Sequence, residues 1–492
     1  YVVCKDVFEF LTDGLGLDFG HLKFREEDIA YWEELASKVD VLEFDFETYV
    51  NKTFNSYALN DEKDFVHMWF EYNDGYLRWL LSNYYLLKHG DTYLSRVLGM
   101  CKSQSTADLF SLLATTIFDE QPNDEALKER AIMLTEAANR GVEITQSAEL
   151  KINDRLKAIA LDPDKGYQYA MEYMTPLTSS ERKLMIEWLG HGYISRTNVR
   201  HLYPDLYSYT SESDLNVDIE NSWINSYFDE YRKSKISHNP TTTVVNILHE
   251  KNSSATAFEL WYNNFKTVKT ILHNRSDIDV YYWIDGLGVD WIPFVIDVIS
   301  GHQVDGVYLN EVHIGVAELP SITSVNKEKL ETLASPDELK KIGDLDAYAH
   351  THHAYPDYIS HEFKVVKNAI ASVLKQYNGK KIAFVSDHGI SYLSQHGIGL
   401  NLANVDSNHA GRCALYKNGD AITDTSYIVL DDGKTICSLK YDSLASKTPT
   451  GHGAHGGATP EEVLVPIIIV SNKKNASNYS ASLVDSQISA AN

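Results

Sequence analysis

VYYWIDGLGVDWIPFVIDVI, residues 280–299, is the stretch whose reading decides the fold. A short apolar run ends at Asp285-Gly286, and a helix-like pattern follows. An acidic residue at the C-terminal lip of a buried strand is where an open α/β sheet places its chemistry. Later strands are therefore expected to bring further ligands to the same edge.

Outward from this stretch, strands and helices alternate. Strand-like runs are 279–285, 306–319, 346–351 (DAYAHT), 380–387, a hairpin-like pair within 426–440, and 461–470 (EEVLVPIIIV). Helix-like runs are 290–299 and 360–377. That order predicts an α/β domain over residues 220–472, with a mostly parallel sheet and helices on both faces. Residues 473–492 are small and polar and are expected to form a flexible tail.

Residues 1–215 read as a mainly α-helical N-terminal domain. The segments 42–54, 66–87 and 127–144 carry apolar residues at helical spacing. Thr178 and Glu181 form a capping-box pattern ahead of Leu184, Ile186 and Leu189, with Gly190 as the stop. The Tyr and Trp residues of this half lack interleaved Lys and Arg, so core packing rather than base stacking is expected of them. Residues 198–214 read as a polar, Pro-containing join, followed by a helix-like run at 222–235.

At 492 residues the chain is too long for one ordinary core. The opening YVVCKDVFEF has no basic segment ahead of a long apolar run, and no leader or membrane span is expected. Cys4, Cys101, Cys413 and Cys437 lack CxxC spacing, which argues against a disulfide framework or a thiolate zinc site and fits a cytoplasmic protein with reduced thiols. The net charge of −25 excludes a general nucleic-acid coating protein, whose affinity comes from Lys and Arg on phosphates. An anionic substrate remains compatible, because bound divalent cations reverse the local sign.

Four segments after Asp285 carry chemistry. In ELPSITSVN, Ser321 or Thr323 sits ahead of a helix, either as a simple cap or beside amides suited to a phosphate. In HAYPDYISHEF, Asp357 and His361 are four apart and share one face if helical, which is half of a metal site or an ordinary solvated pair. KKIAFVSDHGIS ends a buried-looking strand in Asp387-His388-Gly389. TPTGHGAHGG puts His452 and His455 in a glycine-rich loop before the last strand, where the backbone can approach an ion closely. Together these supply the ligand inventory for two neighbouring divalent ions, Zn2+ fitting best and Mn2+ or Mg2+ able to serve. His350, His352, His353, His396, His409 and His452 are read as lying outside the ligand set, although His452 is near enough to exchange roles with His455.

The order of these motifs resembles the alkaline phosphatase superfamily. Within it, WIDGLG, DYISH and HGGATPEEVLVP are similar to the PglZ family of the BREX phage-defence systems, over about residues 220–470. The resemblance implies an alkaline-phosphatase-like core. One ion would lie at Asp357, His361 and His455, the second at Asp285, Asp387 and His388, with Thr323 bound to the second as nucleophile. A metal-bound threonine is acidified to an alkoxide, attacks phosphorus in line and forms a covalent phospho-enzyme. The implied function is hydrolysis of nucleotide or nucleic-acid phosphodiesters alongside other BREX proteins, and the alternative is a scaffold subunit of a defence complex. A sulfatase of the same superfamily would use a modified Cys or Ser, which Thr323 does not suit. The chain departs from DALRYE, a pattern of many relatives, by having Gly288 and Asp290 where Arg and Glu stand. A clamping Arg is thereby lost, and Arg412, Lys327 and His452 are the candidates for touching substrate.

Overall fold

The computed structural model describes residues 25–39, 45–54, 59–215, 217–333, 339–417 and 419–474. Cys4, the opening residues and most of the expected tail lie outside the described residues. The chain divides into two compact units, Tyr1–Leu184 and Met185–Asn492.

The first unit is helical throughout its described residues. Its helices are started by short polar side chains that satisfy otherwise orphaned amides. Asp61 accepts from Lys63 and Asp64 N–H at 2.9 and 3.0 Å, Asp74 from Leu77 at 3.0 Å, and Asn123 from Ala126 at 2.8 Å. The apolar pattern at 66–87 therefore belongs to two helices, Glu62–Glu71 and Gly75–Lys88, because Asp74 caps the second and breaks the run. The capping box forms, with Thr178 Oγ1 donating to Glu181 Oε2 at 2.8 Å and Glu181 N–H donating back at 3.1 Å. Trp69, Trp79, Tyr84, Tyr85 and Tyr93 are all buried, which makes the aromatics a core.

The second unit is mixed α/β. Its main sheet comprises β1 (Val280–Asp285), β2 (Tyr308–Val316), β3 (Leu339–Asp344), β4 (Ile382–Val385) and β9 (Leu464–Ser471), in the order β2-β9-β4-β1-β3. β3 and β4 run parallel to β1, whereas β9 is antiparallel to both β4 and β2. Both faces are covered. Tyr281, Trp283, Ala383, Val385, Val465, Ile467 and Ile469 share one apolar cluster with Val268, Leu272 and Leu330. On the opposite side the helices Ile292–Ser300 and Asp357–Lys375 meet through Phe294 and Phe363, stacked at 5.4 Å. All eight residues of β9 are buried, as an uninterrupted apolar run requires of a central strand.

A smaller antiparallel sheet, β5-β6-β8-β7, lies between β4 and β9 in sequence: β5 (Val405–Asn408), β6 (Cys413–Tyr416), β7 (Tyr427–Val429) and β8 (Thr435–Ser438). It has its own core of Ala414, Tyr427, Ile436 and Leu444.

Two expectations change. DAYAHT is not a strand: Asp346–Ala349 is a helical turn, and the strand is the preceding LKKIGD. Nor are residues 198–214 a bare join. Pro204–Tyr209 is a helix that packs within the second unit, where Ser208 donates to Asp297 at 2.8 Å and Tyr209 to Asp290 at 2.7 Å. Among the described residues no helix is long and apolar enough to cross a membrane.

Candidate metal centre

The strand directions bring five segments to one edge. β1, β2, β3 and β4 all end there, and β9, running the other way, begins there: Val316 pairs with Leu464 and Phe384 with Ile468. An antiparallel β9 is what lets the glycine-rich loop ahead of it reach the ends of β1 and β4. The loops interlock at glycines. A Cβ on Gly389 would lie 2.0 Å from the Glu461 carbonyl oxygen, and one on Gly288 would lie 3.2 Å from the same oxygen. At Gly288 a Cβ would also meet Asp290 Oδ1 at 2.6 Å, so a larger residue there would have to displace that side chain.

Asp285, Asp387 and His388 converge, all buried. Asp387 Oδ1 accepts from Trp283 Nε1 at 3.1 Å and from the Gly286 amide at 3.4 Å, while its Oδ2 is buried with no hydrogen-bond donor. His388 Nδ1 faces the Gly389 carbonyl at 3.1 Å. A carbonyl only accepts, so Nδ1 carries the proton and Nε2 presents a lone pair. Nε2 lies 3.0 Å from Thr323 Oγ1 and 3.5 Å from both Asp285 Oδ1 and Asp387 Oδ2. Thr323 opens the helix Thr323–Glu331 and lies 3.4 Å from Asp285 Oδ1. Of the two candidate hydroxyls, Ser321 does another job: it donates to Gly457 O at 2.8 Å and accepts from Gly456 N–H at 3.0 Å, pinning the His455 loop.

Beside this group lies a second. Asp346 Oδ1 is 2.8 Å from His455 Nε2 and 3.0 Å from His350 Nε2, and the two Nε2 atoms are 3.1 Å apart. His455 Nδ1 points at Ser321 O at 3.0 Å, which leaves its Nε2 turned toward Asp346. The His455 ring stacks on His388 at 4.0 Å, joining the two groups. The ligand atoms of Asp285–Asp387–His388, of Asp346–His388–His455 and of His350–His409–His455 each lie within 4.8 Å of one another.

Electrostatics describe a site short of positive charge. Burial and the neighbouring Asp387 raise the Asp285 carboxyl to about 6, and burial raises Asp387. Burial, with His455 alongside, pushes the His388 imidazole down to about 3, so it is neutral and able to donate its lone pair. Burial opposes the charge on Asp346, but the His350 and His455 imidazoles against its Oδ1 outweigh it and hold that carboxyl low. The His388 lone pair, the undonated Asp387 oxygen and the Asp285 carboxylate around one point fit a divalent cation.

Asp285, Thr323, Asp387, His388 and His455 are brought together as the motif order implied. Asp357 and His361 are not. Asp357 is exposed at the start of its helix, and His361 is exposed and stacked on Tyr348 at 4.0 Å; neither belongs to a ligand group. Their place is taken by Asp346 and His350, which have the same four-residue spacing but directly follow a strand end. His350 and His409, read as bystanders, face His455 instead, with ring centroids 5.1 and 4.4 Å from it. His452 stays with His352, 5.7 Å between centroids.

Arg412 cannot clamp a substrate. It is fully buried, with Nε and Nη2 donating to Glu462 at 2.9 and 2.7 Å and Nη1 to Asp442 O at 2.7 Å. Lys327 remains exposed one helical turn beyond Thr323, its Nζ 5.7 Å from the Trp283 ring. The cation nearest the buried carboxylates is one the motifs did not name. Lys341 Nζ lies 2.7 Å from Asp285 Oδ2 and 4.9 Å from the Trp283 ring. The β1–β3 register, Trp283 opposite Lys341, places it there, and the alternation of LKKIGD was its only sequence signal. No protein-family model matches the chain, and no curated protein is significantly similar to it.

Proposed function

We propose that the second unit is a two-metal phosphodiesterase or phosphatase with Thr323 as nucleophile, on an alkaline-phosphatase-like core of the PglZ type. Its substrate class is nucleotide or nucleic-acid phosphodiesters, and its setting phage defence alongside BREX partner proteins. The observation that carries the reading is the buried Asp285–Asp387–His388 group around the Thr323 hydroxyl, with Asp387 Oδ2 left without a donor.

Asp285, Asp387, His388 and Thr323 would hold one ion, and Asp346, His350 and His455 the other. Such ions, Zn2+ or alternatively Mn2+ or Mg2+, would supply charge to stabilise the phosphoryl oxygens and the departing oxygen. The chain's own part is positioning. Asp285 and His388 hold Thr323 Oγ1, the helix beginning at Thr323 turns amide dipoles toward a phosphate, and Lys327 and Lys341 flank Trp283 on the approach. Thr323 Oγ1 gives up its proton and forms a bond to phosphorus as the bond to the leaving oxygen breaks, that oxygen taking a proton from solvent; water then cleaves the phospho-threonine P–O bond, releasing phosphate and returning the hydroxyl.

A metal-free scaffold is the second reading, favoured by the Lys341–Asp285 ion pair, which neutralises Asp285 without a metal ion. Elemental analysis with a phosphodiester reporter assay, before and after chelation, separates the two. Stoichiometric metal and chelator-sensitive hydrolysis are expected; absence of both favours the scaffold. The ligand assignment has its own check. Asp346→Ala is expected to lower metal affinity at least about 10-fold, whereas Asp357→Ala leaves it unchanged. The reverse pattern would return the second ion to Asp357 and His361.

A further inference from the structure

The two halves of the centre differ in donor chemistry. Around Thr323 the donors are mostly oxygen: Asp285, Asp387 and the hydroxyl itself, with His388 as the one nitrogen. Around Asp346 they are mostly nitrogen, because His409 joins His350 and His455 with all three ligand atoms within 4.8 Å. Imidazole suits zinc and its neighbours, whereas carboxylate and hydroxyl oxygen suit manganese and magnesium.

His409 is delivered by the connection between β5 and β6. His409 and Ala410 have φ of 50° and 54°, two successive non-glycine residues in the left-handed region. Such backbone persists only where its surroundings over-determine it, and it clusters at functional sites. Here the Asn408 side chain accepts from the His409 amide at 2.9 Å, and Ser443 Oγ donates to the Ala410 carbonyl at 2.9 Å. The facing loop makes room. Gly456 has φ of 106°, and a Cβ there would lie 3.4 Å from the His409 Cβ and 3.2 Å from Cys413 Sγ. A second feature points the same way: with His455 Nδ1 held at Ser321 O, its Nε2 faces both Asp346 Oδ1 at 2.8 Å and His350 Nε2 at 3.1 Å, so three ligand atoms close on one point.

We propose that the centre is heterometallic, with His409 as a third imidazole ligand at the Asp346 position. That position takes a nitrogen-preferring ion such as Zn2+, and the Thr323 position an oxygen-preferring ion such as Mn2+. The inference rests on the two-metal reading above and deepens it.

The test uses the full chain, stripped by chelator and dialysed against Mn2+ in large excess over Zn2+, which offsets the greater affinity of Zn2+ for any such donor set, with bound metal read by elemental analysis. Wild type is expected to hold about one of each. His409→Asn keeps a residue that tolerates the left-handed backbone while removing the imidazole. It is expected to lose Zn2+ affinity at least about 10-fold, with Mn2+ content unchanged and the melting curve of the metal-free protein unaltered. His353→Ala, as a histidine control, is expected to retain both ions. Unchanged Zn2+ affinity in His409→Asn, or a parallel loss of both ions, would overturn the role of His409. Wild type with two ions of one kind would overturn the heterometallic assignment while sparing the two-metal reading, and wild type with no ion would overturn both.

Discussion

Thr323→Ala is expected to lower phosphodiester hydrolysis by more than about 10³-fold while the protein stays folded and keeps its metals. The hydroxyl lies 3.0 Å from His388 Nε2 and 3.4 Å from Asp285 Oδ1, which is the basis for proposing it as the nucleophile. Thr323→Ser keeps that oxygen and is expected to keep most of the turnover. Kinetics with the phosphodiester reporter, paired with elemental analysis of the same preparation, separates a lost nucleophile from a lost ion. Undiminished hydrolysis by Thr323→Ala would remove the residue as nucleophile.

The second large effect is on stability. Arg412 and Glu462 form a bidentate pair with both side chains fully buried. Removing one partner strands the other's charge, at a cost of about 3–5 kcal/mol. Arg412→Met is therefore expected to lower the urea midpoint of the second unit strongly. Glu462 also accepts from the Gly457 and Thr459 amides, so the damage should spread to the loop that carries His455. The double variant Arg412→Met/Glu462→Gln, which removes both charges, is expected to recover much of the loss. A single variant costing under about 1 kcal/mol would contradict this account of the pair.

How much of this was legible beforehand depended on burial. β1, β4 and β9 announced themselves as apolar runs because both of their faces are covered. Asp285, Asp387 and His388 follow directly from such strand ends and were found. β3 lies at the sheet edge, and its LKKIGD carries two exposed lysines, so its apolar signal is weak. With β3 unseen, Asp346 had no strand end to mark it. The repeated four-residue spacing then favoured Asp357 and His361, which open the longer and more obviously amphipathic helix. β5 and β6 are four residues each, too short to read as strands, so nothing in the sequence marked His409 as set at a strand end, and it passed for a bystander. The direction of β9 is written in no periodicity, since parallel and antiparallel strands share the same two-residue alternation.

The most direct test of the central claim is anomalous scattering from crystals of the metal-loaded protein. Two peaks roughly 4 Å apart are predicted, the spacing of a two-metal centre. One should lie among Asp285, Asp387, His388 and Thr323, the other among Asp346, His350 and His455. No peak at these residues, or a peak held by Asp357 and His361, would contradict the account.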